Sequence, residues 1–182
     1  MGPAFEIVDD IANLTFVPWG NAYVNTSSCG TAEYSKTAMY CWIRTCGMEN
    51  LSNATCFDEG RKICQHDEEE CRANLIESCA RVHAPSQMSF VRFLTCFEGP
   101  SSSSAKACAS SAGIDPSALN ECADGAEGAR LDMESARATA RFGDGRLGTP
   151  WIVVNGKHLD DPSELLRAVC DAYEGPDVPK GC

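Results

Sequence analysis

With 182 residues, 43% of them hydrophobic, the chain is long enough for one domain with a proper core, and no apolar run approaches a membrane span. Twenty-six acidic against fifteen basic residues give a formal charge of −11, which excludes a partner held through its phosphates, such as nucleic acid. Twelve cysteines, an even number, point to an oxidising compartment where disulfides persist.

Residues 1–12 carry Glu6, Asp9 and Asp10 and lack both a basic stretch and an uninterrupted apolar stretch, so they do not read as a signal peptide. Ala4, Ile7, Val8 and Ile11 fall at helical spacing and predict an amphipathic helix. A cysteine-rich chain that starts inside a helix leads to the expectation of further sequence upstream. Asn13 to Trp19 reads as a short strand ending at Pro18-Trp19-Gly20.

Residues 23–63 show no clean periodicity, hold Cys29, Cys41, Cys46 and Cys56, and predict a disulfide-tied surface excursion with a short helix over Thr37 to Arg44. Proximity suggests that these four cysteines pair among themselves. Asn13, Asn25, Asn50 and Asn53 each open an Asn-x-Ser/Thr sequon, where chance would give about one. Together with the cysteines they place the chain in the secretory pathway, lysosomal or extracellular.

A helical insertion is predicted over residues 64–142. Its first helix, Cys64 to Ala84, puts Cys71, Leu75, Cys79 and Val82 on one face, sets the acidic run Asp67 to Glu70 at the positive end of the dipole, and stops at Pro85. Ser86 caps a second helix with Met88, Val91 and Leu94 inside, and Gly99 to Ser104 reads as an exposed link. Helices follow over Ala105 to Ala112, over Pro116 to Ala123 behind Asp115, and over Gly125 to Phe142. Trp151 to Val154, Asn155-Gly156 and Lys157 to Leu159 predict a hairpin. Asp161-Pro162-Ser163-Glu164 then opens a closing helix through Leu165, Leu166, Val169 and Tyr173.

The run Cys64-Gln65-His66-Asp67-Glu68-Glu69-Glu70-Cys71, continued by Asn74 and Cys79, resembles the signature C-Q-H-G-x-x-E-C-x-x-N-x-x-x-x-C of the gamma-interferon-inducible lysosomal thiol reductase family, with Asp67 in place of Gly. Val17-Pro18-Trp19-Gly20-Asn21-Ala22, Thr149-Pro150-Trp151 and Asn155-Gly156-Lys157 resemble further family segments, and Cys96, Cys108, Cys122, Cys170 and Cys182 follow the family order. The resemblance implies a single α/β thioredoxin-like domain over 1–182, incomplete at its N-terminus, with a helical, disulfide-rich insertion. It implies thiol–disulfide oxidoreductase activity on disulfide-containing or unfolded polypeptides, without a cofactor. Thr149-Pro150 matches the substrate-facing proline of such enzymes, for which a cis peptide is favoured.

The family's C-x-x-C pair does not occur in this chain. Cys71 and Cys79 are too far apart to bond each other, about 12 Å along one helix face. Carboxylates beside Cys64 and Cys71 raise rather than lower a thiol pKa, which argues against a redox role there. Cys64, His66, Cys71 and Cys79 lack the paired spacing of a zinc site, so no metal is expected. Two readings remain: a thiol reductase missing its N-terminal strand and C-x-x-C, or a non-catalytic secreted binding or structural module.

Overall fold

The computed structural model describes residues 2–100, 102–143 and 148–182. Met1 of the first expected helix and Ser101 of the expected link lie outside the described residues. In chain order the elements are α1 (Gly2–Val8), β1 (Tyr23–Val24), α2 (Lys36–Cys46), a 3-10 turn (Met48–Asn50), α3 (Ala54–Phe57), β2 (Lys62–Ile63) and α4 (Asp67–His83). Then come α5 (Gln87–Phe97), α6 (Ala105–Ala112), α7 (Pro116–Asp124), α8 (Ala126–Ala140), β3 (Ile152–Val154), β4 (Lys157–Leu159), a 3-10 turn (Pro162–Glu164) and α9 (Leu165–Ala172). The described residues are thus mainly helical, and their four strands form two separate antiparallel pairs, β1–β2 and β3–β4. Two compact units divide the chain.

One unit comprises Met1–Phe16, His83–Pro116 and Pro150–Cys182. Its core gathers Phe5 and Val8 of α1 with Val91 of α5, and Leu166, Val169 and Cys170 of α9 pack against them. The starts of α5 and α6 have a local cause. Ser86 Oγ accepts the Ser89 N–H at 3.1 Å and Ser104 Oγ accepts the Ala107 N–H at 3.3 Å, satisfying donors that the first turn leaves open. Helix α6 ends at Gly113, whose φ of 75° is the left-handed stop that glycine supplies without strain. The β3–β4 hairpin pairs Ile152 with Leu159 and Val154 with Lys157. Both turn residues, Asn155 (φ 45°) and Gly156 (φ 81°), take the positive φ that matches the turn to the strand twist.

The other unit comprises Val17–Val82 and Ser117–Thr149. Here the expectation of a surface excursion over 23–63 needs correction, because this segment supplies most of the largest buried cluster. Tyr23, Met39, Trp42, Ile43 and Phe57 are buried in it with Trp19, and Ala136 and Ala140 of α8 close it. Trp19 and Trp42 stack with ring centroids 6.0 Å apart, and Phe57 meets Trp42 edge-on at 5.8 Å. Both indole N–H groups are satisfied, Trp19 by Ala22 O at 2.7 Å and Trp42 by Cys56 O at 3.0 Å. Disulfides Cys29–Cys41 and Cys46–Cys56 staple α2 to the loop before it and to α3. Ala38, Met39, Trp42, Ile43 and Cys46 line one face of α2 at helical spacing. Trp19, Tyr23 and Phe57, which bury that face, come from segments without a period, which is why a periodicity argument overlooks this core.

The strand expected over Asn13 to Trp19 does not form; residues 12–17 are irregular. A strand needs a neighbour for its backbone groups, and none pairs with this segment among the described residues. Gln87 substitutes in part: its Oε1 accepts the Leu14 N–H and its Nε2 donates to Ala12 O at 2.9 Å. Helix α4 begins at Asp67 rather than Cys64, and α1 ends at Val8, before Ile11.

Candidate functional site

Cys64 and Cys71 form a disulfide across the start of α4. Between them the chain turns sharply at Asp67, whose φ of 66° is left-handed backbone. That conformation explains why the position takes Gly or Asp: a short polar side chain tolerates it far better than a branched one. Replacing Asp67 by Gly is therefore expected to leave stability unchanged or raise it. Asp67→Val is expected to cost about 1–2 kcal/mol, read from urea midpoints; equal midpoints for Gly and Val variants would remove the backbone explanation.

Three polar members of the same run, Gln65, Glu70 and Asn74, reach one short segment. His66 donates its backbone N–H to Glu70 Oε2 at 2.7 Å, and the imidazole Nδ1 lies 3.0 Å from the same oxygen. The other Glu70 oxygen lies 2.8 Å from where a β-carbon on Gly20 would stand, and Gly20 itself has a φ of 61°. Gln65 Oε1 accepts from Asn21 Nδ2 at 2.8 Å, and buried Asn74 donates to Trp19 O at 3.4 Å. The run Cys64 to Cys79 and the segment Trp19-Gly20-Asn21 are thus two halves of one clamp. Gln65, Glu70 and Asn74 touch three consecutive residues, and the disulfide holds the helix start to which they belong.

A buried ion pair that the sequence reading missed lies against this clamp. Lys62 Nζ is 2.7 Å from Asp132 Oδ1, both side chains being more than nine-tenths buried, and the ammonium sits 4.2 Å from the centre of the Trp19 ring. Burial pushes the Asp132 carboxyl above its ordinary range, against the opposing pull of Lys62. Burial likewise pushes the Lys62 ammonium down, against Asp132 first and Glu70 and Glu77 after it. Only the β1–β2 pairing, invisible in two-residue strands, brings Lys62 inward.

Thr149 and Pro150 are both exposed and immediately precede Trp151 and β3. Trp151 stacks on His158 of β4 with centroids 3.6 Å apart, and His158 Nδ1 lies 3.2 Å from Asp160 Oδ1. The remaining disulfides are Cys79–Cys122, Cys96–Cys108 and Cys170–Cys182. All twelve cysteines are therefore bonded and none is free. Cys64, Cys71 and Cys79 accordingly offer no thiolate, for attack or for ligation.

Six disulfides, a mainly helical chain and a clamped Trp-Gly-Asn turn define a disulfide-stapled domain of the kind that persists in oxidising compartments. Comparison with known proteins narrows the class. Residues 45–112 match the family model described as gamma interferon inducible lysosomal thiol reductase. The chain is 31% identical over 184 residues to the Gamma-interferon-inducible lysosomal thiol reductase of Mus musculus, an alignment covering 99% of this chain and 62% of that protein. It is 33% identical over 137 residues to the Gamma-interferon-responsive lysosomal thiol protein of Arabidopsis thaliana, covering 72% of this chain and 58% of that one. A Carassius auratus reductase of the same description is 27% identical over 190 residues, covering 99% of this chain and 62% of that protein. The chain belongs to the gamma interferon inducible lysosomal thiol reductase family, and it spans about three fifths of the length of these curated relatives.

Proposed function

We propose that this chain is the scaffold and substrate-facing part of a thioredoxin-like thiol–disulfide oxidoreductase acting on disulfide-containing polypeptides in the lysosome or outside the cell. The observation that carries this reading is the clamp, because it joins two separate family motifs into one built feature. Thr149-Pro150, exposed ahead of the hairpin, is the proposed platform for the substrate backbone. Reduction starts when a thiolate attacks one substrate sulfur and a second thiol resolves the mixed disulfide. With all twelve cysteines bonded and no C-x-x-C pair among them, these 182 residues as they stand present neither thiol.

The bonded state of the cysteines also favours a second reading, a non-catalytic binding or structural module. One experiment separates the two. The purified chain, still oxidised, is given insulin and a small excess of dithiol at pH 5 and at pH 7, beside a no-protein control. Insulin reduction at the control rate is expected; faster turnover would mean that one of the six disulfides is itself redox-active. Binding of a reduced and denatured polypeptide, weakened by Pro150→Ala at unchanged stability, is expected from the platform. Binding indifferent to Pro150 favours the module instead.

A further inference from the structure

The four sequons are not equivalent in the folded chain. At Asn13 the backbone is gripped from both sides by Gln87, which takes the Leu14 N–H and donates to Ala12 O, and the Asn13 side chain is left exposed. At Asn53, also exposed, the Oδ1 atom accepts the Thr55 N–H at 3.1 Å and the Thr55 hydroxyl at 2.8 Å. Two donors on the oxygen fix the carboxamide plane and turn Nδ2 away from the chain. Among the described residues neither amide nitrogen has a hydrogen-bond acceptor.

Asn25 and Asn50 are arranged the other way round. Asn25 is half-buried, its Nδ2 donates to Thr31 O at 3.0 Å, and its Oδ1 fills the space that a β-carbon on Gly30 would need. That hydrogen bond folds residues 25–31, the turn that carries Cys29 to its bond with Cys41. Asn50 turns its Nδ2 onto Thr45 O at 2.9 Å, at the end of α2. In addition its carbonyl accepts the Asn53 N–H at 3.0 Å, so the Asn50 and Asn53 sequons stand side by side on one tight turn.

We propose that Asn13 and Asn53 carry N-linked glycans in the folded protein and that Asn25 and Asn50 do not. The co-substrate is an oligosaccharide joined through C1 to a lipid pyrophosphate. The asparagine Nδ2 bonds to C1, the bond from C1 to the pyrophosphate oxygen breaks, the lipid pyrophosphate leaves with that electron pair, and the amide gives up one proton. Transfer acts on the chain before it folds, and folding then sorts the products. A sugar on Asn25 displaces the amide from Thr31 O and holds open the turn that presents Cys29 to Cys41. A sugar on Asn50 displaces the amide from Thr45 O and crowds the one on Asn53. Neither penalty exists at Asn13 or Asn53. The inference stands independently of the oxidoreductase reading.

The test is site-by-site occupancy in the full chain secreted from eukaryotic cells behind a cleavable leader. Disulfide-complete monomer is isolated, treated with an amidase that releases N-glycans in heavy-oxygen water, and digested. Each formerly glycosylated asparagine is then read by mass spectrometry as labelled aspartate. Label at Asn13 and Asn53 with none at Asn25 and Asn50 is the expected result. Label at Asn25 or Asn50, or its absence from Asn13 or Asn53, overturns the assignment. Asn13→Gln and Asn53→Gln singly should each remove one glycan step on a denaturing gel, and a step that persists because Asn50 becomes occupied counts against it. The wild-type spectrum decides the matter even if a variant is not secreted.

Discussion

Asp132→Ala is expected to destabilise the folded chain by about 3–5 kcal/mol, the cost of leaving a buried charge without its partner. Lys62 then remains more than nine-tenths buried against the Trp19 ring, and the two other carboxylates that act on it, Glu70 and Glu77, are the weaker influences. Replacing both partners by apolar residues, Lys62→Met with Asp132→Leu, is expected to be neutral or stabilising by about 1–4 kcal/mol, because burial opposes the charged form of each. The sign with pH follows from the same directions. A carboxyl whose folded pKa is raised binds its proton more tightly in the native state, so its contribution to stability grows as pH falls through the folded value. That gain is complete below the ordinary carboxylate range. Lys62, its pKa lowered, contributes a penalty wherever it is charged in the folded state, and that penalty fades as pH rises from its folded value toward the ordinary lysine range. The wild-type advantage over Asp132→Asn should therefore widen from neutral toward acidic pH. Urea unfolding of the single and double variants across pH 4.5–7.5 measures all of this. A narrowing difference, or a double variant as damaged as the single one, would show that the pair is a source of stability in its own right.

The helices of the chain were largely legible in its sequence, and the reasons are local. Ser86 and Pro116 announce helix starts, Pro85 announces a stop, and Asn155-Gly156 announces the hairpin. These are signals carried within a few residues, so no knowledge of the tertiary fold is needed to read them. At Asp67 the family signature has Gly, which fits either left-handed backbone or a close approach, and the structure shows the left-handed backbone. What escaped reading depends on distant partners. The Asn13 to Trp19 segment has the composition of a strand, but composition cannot tell whether another strand lies beside it. Residues 23–63 read as surface because α2 alone carries a period there, and the residues that bury its face lie in segments that carry none. In the structure Trp42 is wholly buried between Trp19 and Phe57. The clamp combines both cases. Gln65, Glu70 and Asn74 could be named as members of a signature, but their contacts with Asn21, Gly20 and Trp19 close over forty or more residues of chain. The Lys62–Asp132 pair, seventy residues apart, left no mark in the sequence at all.

Removing the Cys79–Cys122 disulfide is expected to have the other large effect. It spans 43 residues, the longest separation of the six, whereas Cys64–Cys71 spans 7. A cross-link limits the freedom of the unfolded chain in proportion to the logarithm of the loop it closes, which gives about 4 kcal/mol for the longer loop and about 2 kcal/mol for the shorter. Native packing widens the difference, since Cys79 and Cys122 are both buried and their sulfurs fill space in the core where α4 meets α7. Alanine at both positions leaves that space partly empty; in the shorter bridge Cys64 is buried as well but Cys71 is half-buried, so truncation there costs less. The comparison is therefore between two paired variants, Cys79→Ala with Cys122→Ala, and Cys64→Ala with Cys71→Ala, each unfolded in urea under oxidising conditions. The first should lose roughly twice as much stability as the second. Local consequences run the other way. The shorter bridge holds the helix start that carries Gln65 and Glu70, so its removal should loosen the hold on Gly20 and Asn21 while global stability falls less. Hydrogen exchange at the Gly20 and Asn21 amides reads that loosening directly. Faster exchange there in the Cys64/Cys71 variant than in the less stable Cys79/Cys122 variant would separate the clamp from overall stability, and the reverse order would make the signature disulfide an ordinary staple.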